Sequence, residues 1–259
     1  MDLKLTGKTA IVTGATAGIG LAIAKALATE GVIVTIPGRS QQKIDAATRE
    51  VPGSIGVLAD PGTAVGCASL IENVPTTDIL VNNLGIYEAK PFAEIPDADW
   101  VRFFEINVLS GVRLSRHYFP QLLTANNNGR VIFVSSESGV MTPPEMVHYG
   151  VTKSSQLALS RGLAELTKAT TVTVNTIMPG PTRSEGIVEF LQKMASTPNR
   201  TPAQAEREFF EKHRSSSLLQ RLIESEEIAS LVAYLASPLS AATNGAALRA
   251  EGGLLRSIV

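Results

Sequence analysis

Tyr149 and Lys153 lie four positions apart (153 − 149 = 4), and Ser136 stands thirteen positions before the tyrosine (149 − 136 = 13), at the end of an apolar run. A phenol is a weak acid near neutrality, with an unperturbed pKa of about 10. At helical spacing Lys153 shares a face with Tyr149, which brings a cation close to the phenol and, together with the positive ring of an oxidised nicotinamide, favours the phenolate. Such a tyrosine serves as general acid in one direction and general base in the other. Ser136 is placed to hold and polarise a substrate oxygen.

A second constellation lies near the N-terminus, where T-G-A-T-A-G-I-G runs from Thr13 to Gly20 directly after the apolar stretch Thr9–Val12. Gly14, Gly18 and Gly20, with Thr16 and Ile19 between them, sit where a strand hands over to a helix. Glycine there permits the tight turn and lets backbone approach a pyrophosphate, which then rests on the unpaired N–H donors of the helix N-terminus. A dinucleotide site and a proton donor on one chain point to hydride transfer. The end of the second strand, Ile36-Pro37-Gly38-Arg39-Ser40, carries no carboxylate to accept from a free ribose 2′-hydroxyl. Arg39 instead offers a guanidinium to a 2′-phosphate, and Ser40 a further hydroxyl, so NADP(H) is expected over NAD(H). Ala17 withholds a second basic residue at that turn.

The elements that must position these residues follow from the apolar pattern. Short β-branched runs at Thr9–Thr13, Val32–Ile36, Ile55–Leu58, Ile79–Val81, Val131–Ser135, Val172–Ile177 and about Ala246–Arg249 alternate with longer helical stretches. Several runs are apolar at consecutive positions, as strands covered on both faces are. The alternation predicts a single α/β domain over 1–259, a doubly wound (Rossmann-type) parallel sheet with helices on both faces, a three-layer sandwich. The first helix is expected from Gly18 to Glu30, ended by Gly31. Between 183 and 222 the pattern turns polar and helical, with Arg183–Ala195 and Thr201–Arg214 separated by Ser196–Arg200. Thr201 as N-cap before Pro202 is a strong helix start. Lying after a strand's C-terminal end, this segment is expected to be a substrate lid.

Composition narrows the function classes. A net charge of −1 on 259 residues, with no run of like charges, gives no electrostatic footprint for nucleic acid or anionic membrane. No apolar run approaches the ~18 residues that a membrane span needs. The N-terminus runs straight into the first strand without the pattern of a signal peptide, so the cytoplasm is the expected location. Cys67 is the only cysteine, which excludes an intrachain disulfide and reads as a small core residue. His117 and His148 show no metal-ligand spacing. His117 reads as a helix-surface residue, Trp100 as packing, and His148 as pocket wall beside Tyr149.

Taken together, the glycine turn, Asn82-Asn83-Leu84-Gly85, Asn107, Ser136, Tyr149-x-x-x-Lys153 and Pro179-Gly180 resemble, in order, the short-chain dehydrogenase/reductase family. The resemblance covers nearly the whole chain. It implies a seven-stranded sheet, no metal, and a tetrad of Asn107, Ser136, Tyr149 and Lys153. It further implies that Lys153 binds the nicotinamide ribose and that Asn107 holds a water connecting Lys153 to solvent. Asn83, Gly85, Pro179 and Gly180 line the cofactor, Thr182 meets the carboxamide with Ser184 as second choice, and Asp60 meets the adenine amine. Leu84 and Pro61 depart from the usual residues. A homotetramer or homodimer is implied, built on long helices at about Asp97–Leu123 and Tyr149–Lys168, with Leu254–Val259 closing an interface.

The activity expected is an NADPH-dependent carbonyl reductase, with substrate contacts from Ser138, Val140, Met141, Glu145, Met146, Val188 and Phe190. Three alternatives stand beside it. A 3-oxoacyl carrier-protein reductase would dock its carrier on Arg130, although Thr170 takes the place of a second basic residue. An NAD-dependent alcohol or polyol dehydrogenase conflicts with Arg39. A non-catalytic dinucleotide-sensing protein conflicts with an intact tetrad.

Overall fold

The computed structural model describes residues 1–194 and 200–258, apart from the side chains of Glu185, Val188, Glu189, Lys193 and Met194. Seven strands, β1 (Thr9–Val12), β2 (Ile33–Gly38), β3 (Ile55–Leu58), β4 (Ile79–Asn82), β5 (Arg130–Val134), β6 (Thr173–Pro179) and β7 (Ala247–Ala250), form one sheet in the order β3-β2-β1-β4-β5-β6-β7. Every pairing is parallel. Ala10 pairs with Val34 on one side and Ile79 on the other, so the direction of winding reverses between β1 and β4. Ligands of doubly wound sheets bind at the strands' C-terminal ends beside such a reversal.

Strand periodicity splits the core into two layers. Ala10 and Val12 of β1 pack with Ile23 and Leu27 of α1 (Gly18–Thr29) and with Ile228 and Val232 of α9 (Ser225–Ala236). Ile11 points to the opposite layer, with Leu70 of α3 (Ala64–Asn73) and Leu114 and Tyr118 of α5 (Ser110–Ala125). α1 ends where expected, and Gly31 takes a φ of +83° that a side chain would resist. The remaining helices are α2 (Gln41–Glu50), α4 (Asp97–Phe104), α6 (Val147–Glu165), α7 (Glu185–Met194) and α8 (Pro202–Lys212).

The helix expected as one piece over Asp97–Leu123 is interrupted. A π-helical turn, Glu105–Leu109, joins α4 to α5. The extra residue in that turn rotates Asn107 inward, where its Oδ1 accepts from Ile86 N at 2.8 Å and its Nδ2 donates to Ile86 O and Thr152 Oγ1 at 3.0 Å each.

The segment expected as a lid carries α7 and α8, which share a small apolar core of Ile187, Leu191, Ala205, Phe209, Phe210 and Leu222. Thr201 and Gln204 form a reciprocal capping box at the start of α8. Of the expected connector Ser196–Arg200, residues 196–199 lie outside the described residues, as does 195 at the end of the helix before it. At the C-terminus Leu254 and Leu255 are buried, with their N–H groups donating to Glu251, while Ile258 is exposed. Val259 lies outside the described residues. Among the described residues no helix is long and apolar enough to cross a membrane.

Candidate active site

One cleft of about 400 Å³ at the C-terminal ends of the strands brings both constellations together. Gly18, Ile19 and Gly20 line it from one side and Ser136, Tyr149 and Lys153 from the other, with Asn83, Gly85, Pro179, Gly180 and Thr182 between them. The glycine turn is sterically closed to other residues. A Cβ on Gly20 would stand 2.4 Å from the Gly14 carbonyl oxygen, and Gly14 itself has φ +67°. Asn83 fastens the turn by donating from Nδ2 to Thr13 O at 2.9 Å, while the Thr13 hydroxyl accepts from Asn83 N and Leu84 N at 3.0 Å each. This cradle, open to a ligand's backbone contact and closed to a side chain, fits a dinucleotide pyrophosphate.

The adenosine end lies along β2 and β3. Arg39 is exposed and Ser40 half-buried at the N-cap of α2. Thr16 approaches this end, its Cγ2 lying 3.1 Å from where a Cβ on Gly38 would stand. Asp60 follows β3 and accepts from Gly62 N at 2.9 Å. Thr182, at the other end, is buried and donates to Gly180 O at 2.8 Å.

At the centre, Lys153 is buried, and its Nζ donates to Val134 O at 2.9 Å and to Gln156 Oε1 at 3.1 Å. Burial pushes its pKa down to about 7, with the Glu137 carboxylate pulling it up. Nζ stands 5.6 Å from the centre of the Tyr149 ring and makes no hydrogen bond to the phenol among the described residues. Burial, and then the Glu137 carboxylate, raise the Tyr149 pKa; the Ser136 hydroxyl acts the other way. The phenolate is expected from Lys153 acting together with the positive ring of an oxidised nicotinamide; the protein's own groups push the other way, with burial favouring the neutral phenol.

Three residues that the sequence reading passed over complete the site. Glu137 follows Ser136 directly, and its Oε2 accepts from Ser136 Oγ at 2.5 Å while Oε1 accepts from Ser138 Oγ at 3.2 Å. Burial raises its pKa, opposed by Ser136, Arg214 and Ser138. Arg214, just beyond α8, brings a guanidinium into the cleft over the ring of Phe209, 5.2 Å from its centre. Gln156 donates from Nε2 to the Asn107 carbonyl at 2.5 Å and accepts from Lys153, linking these two groups directly. Glu137 and Gln156 each had a legible signal, an acid beside the reactive serine and an amide one turn after the lysine. Arg214 had none, because only the packing of α7 and α8 carries it there.

The expected substrate contacts divide. Ser138, Met146 and Phe190 line the cleft, together with Tyr87, Ile187 and Phe209. Val140 and Met141 do not: they are 55% and 41% exposed, because the backbone turns outward after the short helical turn Glu137–Gly139. Glu145 lies behind the cleft wall and accepts from Arg214 Nη1 at 3.1 Å. The Val188 side chain lies outside the described residues. His148 is no pocket wall; it is fully buried against Phe103 and Trp100, with both ring nitrogens lacking a partner. His117 is tied to Pro75 O at 3.0 Å on its helix surface. Arg130 is fully buried and donates to the carbonyls of Ser237, Gly129 and Thr171, so it presents nothing to a carrier protein. Among the described residues no cluster of His, Cys, Asp or Glu suits a metal ion.

A family model described as short chain dehydrogenase matches residues 8–195. The chain belongs to the short-chain dehydrogenase family. As such a dehydrogenase it is an oxidoreductase with an NAD(P)-binding Rossmann fold. It is 49% identical to the uncharacterized oxidoreductase YvaG of Bacillus subtilis, with 100% of each chain covered, and 42% identical to YvrD of the same organism, again over 100% of each. Its fold matches that of L-sorbose reductase from Gluconobacter frateurii, solved with NADPH and L-sorbose, at a TM-score of 0.93 and 26% identity over 100% of both chains.

Proposed function

We propose that this short-chain dehydrogenase is an NADP(H)-dependent carbonyl reductase, reversible toward the secondary alcohol. The convergence of Tyr149, Ser136 and Lys153 on the cleft that begins at the glycine turn carries the reading. The NADPH-bound sorbose reductase supports it as a relative in fold. Gly14, Thr16, Gly18, Ile19 and Gly20 would hold the pyrophosphate side of the cofactor, Arg39 and Ser40 the 2′-phosphate, and Asp60 the adenine. Asn83, Gly85, Pro179, Gly180 and Thr182 would hold the nicotinamide half. When bound, the reduced nicotinamide supplies a hydride.

The chain's own residues do the rest. Two of the three Lys153 donors are committed to Val134 and Gln156, which leaves one for a ribose hydroxyl. Tyr149, kept protonated by burial, donates to the substrate oxygen. Ser136 orients that oxygen. Tyr87, Met146, Ile187, Phe190 and Phe209 close the cleft with apolar surface and exclude water. Exposed Val101 of α4, Leu109 of the π-helical turn, Val151 of α6 and Leu166 just after it support a homodimer or homotetramer through this side of the chain. The buried Arg130 weighs against the carrier-protein alternative.

A panel of ketones and alcohols assayed with NADPH and NADH tests the reading. Tyr149→Phe should lower kcat by about 10²–10⁴-fold, the usual worth of a positioned acid. Turnover near wild type in that variant would remove Tyr149 as the donor, and no turnover of any substrate by the wild type would favour a dinucleotide-sensing protein.

A further inference from the structure

We propose that Glu137 and Arg214 form a polar subsite for a hydroxyl group next to the reacting carbonyl, so that the substrate is a neutral hydroxyketone, or in reverse a vicinal diol. This deepens the carbonyl-reductase reading and rests on it. Both side chains line the cleft and both are more than nine-tenths buried, at 4% and 6% exposure. Arg214 is held by Glu145 at 3.1 Å and by the His213 carbonyl at 2.8 Å, both through Nη1. Its Nε lies 3.8 Å from Glu137 Oε1, close enough for an ion pair but beyond hydrogen-bonding distance, and has no hydrogen-bond partner among the described residues. A buried guanidinium donor without an acceptor, facing a buried carboxyl group, is costly unless a further group joins the pair.

Charge selects that group. Glu137, Glu145 and Arg214 sum to −1 with both carboxylates ionised and to zero with one protonated. Within this trio no positive charge is left over for a carboxylate or phosphate on the substrate, and the Lys153 amine is already committed to Val134 and Gln156. A hydroxyl suits the pair in either state, since it donates to a carboxylate and accepts from a guanidinium. A plain ketone leaves both groups as they are.

Ser136 gives the subsite a catalytic consequence. Its Oγ accepts from Ser138 N at 3.1 Å and, with Glu137 ionised, commits its only proton to Oε2 at 2.5 Å. A substrate hydroxyl that donates to Glu137 releases this proton to turn toward the carbonyl oxygen. The gain then falls chiefly in kcat, whereas an ion pair that merely fastens the lid would alter all substrates alike.

The experiment compares 1-hydroxybutan-2-one, butan-2-one and 2-oxobutanoate with NADPH, using wild type, Glu137→Gln and Arg214→Lys. The wild type should prefer the hydroxyketone over butanone by about 10²-fold in kcat/KM, with the oxo acid poorest, and each variant should cut that preference about tenfold or more, mainly through kcat. Equal use of the two ketones, preference for the oxo acid, or equal losses on both ketones in the variants each overturn the proposal. Should a variant fail to fold, the wild type decides alone: with NADP⁺ present, butane-1,2-diol should raise Tm more than butan-2-ol, and equal shifts overturn the subsite. Turnover of butanone without the preference sinks only this inference; no turnover of any of the three with either cofactor sinks the carbonyl-reductase reading with it.

Discussion

Gln156 accepts a hydrogen bond from Lys153 through Oε1, at 3.1 Å, one helical turn further along α6. Its amide nitrogen donates to the Asn107 carbonyl at 2.5 Å, and only this orientation of the amide satisfies a donor at one end and an acceptor at the other. The lysine is thereby tied to the π-helical turn by a side chain. Both partners are buried, so the link has no competing solvent.

Replacing Gln156 should consequently disturb the lysine without touching substrate. Gln156→Leu removes a partner from two buried polar groups, Lys153 Nζ and the Asn107 carbonyl, at about 1–3 kcal/mol in all, and should lower Tm as well as kcat. Gln156→Glu places a carboxylate where the amide oxygen is, which raises the Lys153 pKa from its value of about 7. The limb of the kcat–pH profile that reports Lys153 should move to higher pH in that variant and stay in place in Gln156→Met. A profile unchanged in Gln156→Glu would leave the glutamine a packing role only.

How far the site was legible in the sequence depends on how local each constraint is. The glycine turn, the Tyr149–Lys153 spacing and the Thr201–Gln204 cap are set by neighbours within a few residues, and the sequence displays them. The turn at Glu105–Leu109 is not displayed, because one extra residue in a helix leaves the apolar pattern on either side intact. Val140 and Met141 misled for a related reason: their apolar character suits a pocket, but the direction in which the backbone leaves Gly139 decides, and it turns them to solvent. Arg214 comes within 3.8 Å of Glu137 only through the way α7 and α8 fold together over the cleft, a long-range relation with no local trace.

Cofactor choice is testable at Arg39, which is exposed and makes no hydrogen bond or ion pair among the described residues. A charge-assisted bond to a phosphate contributes about 1.5–3 kcal/mol. Arg39→Asp should therefore raise KM for NADPH about 10–100-fold relative to its effect on NADH. Equal changes for the two cofactors, read from paired titrations, would assign Arg39 to stacking on the adenine.

Stability should carry the signature of the buried lysine. Burial lowers Lys153 from an ordinary value of 10.5 to about 7, so between these limits the unfolded chain binds a proton that the folded chain has released. Stability then rises with pH across that window, is unaffected by this group above about 10.5, and bears its full penalty below about 7. In melting curves recorded without nicotinamide nucleotide, wild type should gain Tm from pH 7 to pH 10 relative to Lys153→Met, which has no proton to release. At roughly 2–4 °C per kcal/mol for a chain of this size, the difference is measurable. Parallel Tm–pH curves for the two proteins would mean that the ammonium keeps its proton in the folded chain, stabilised by Glu137 and its two acceptors more than burial opposes it.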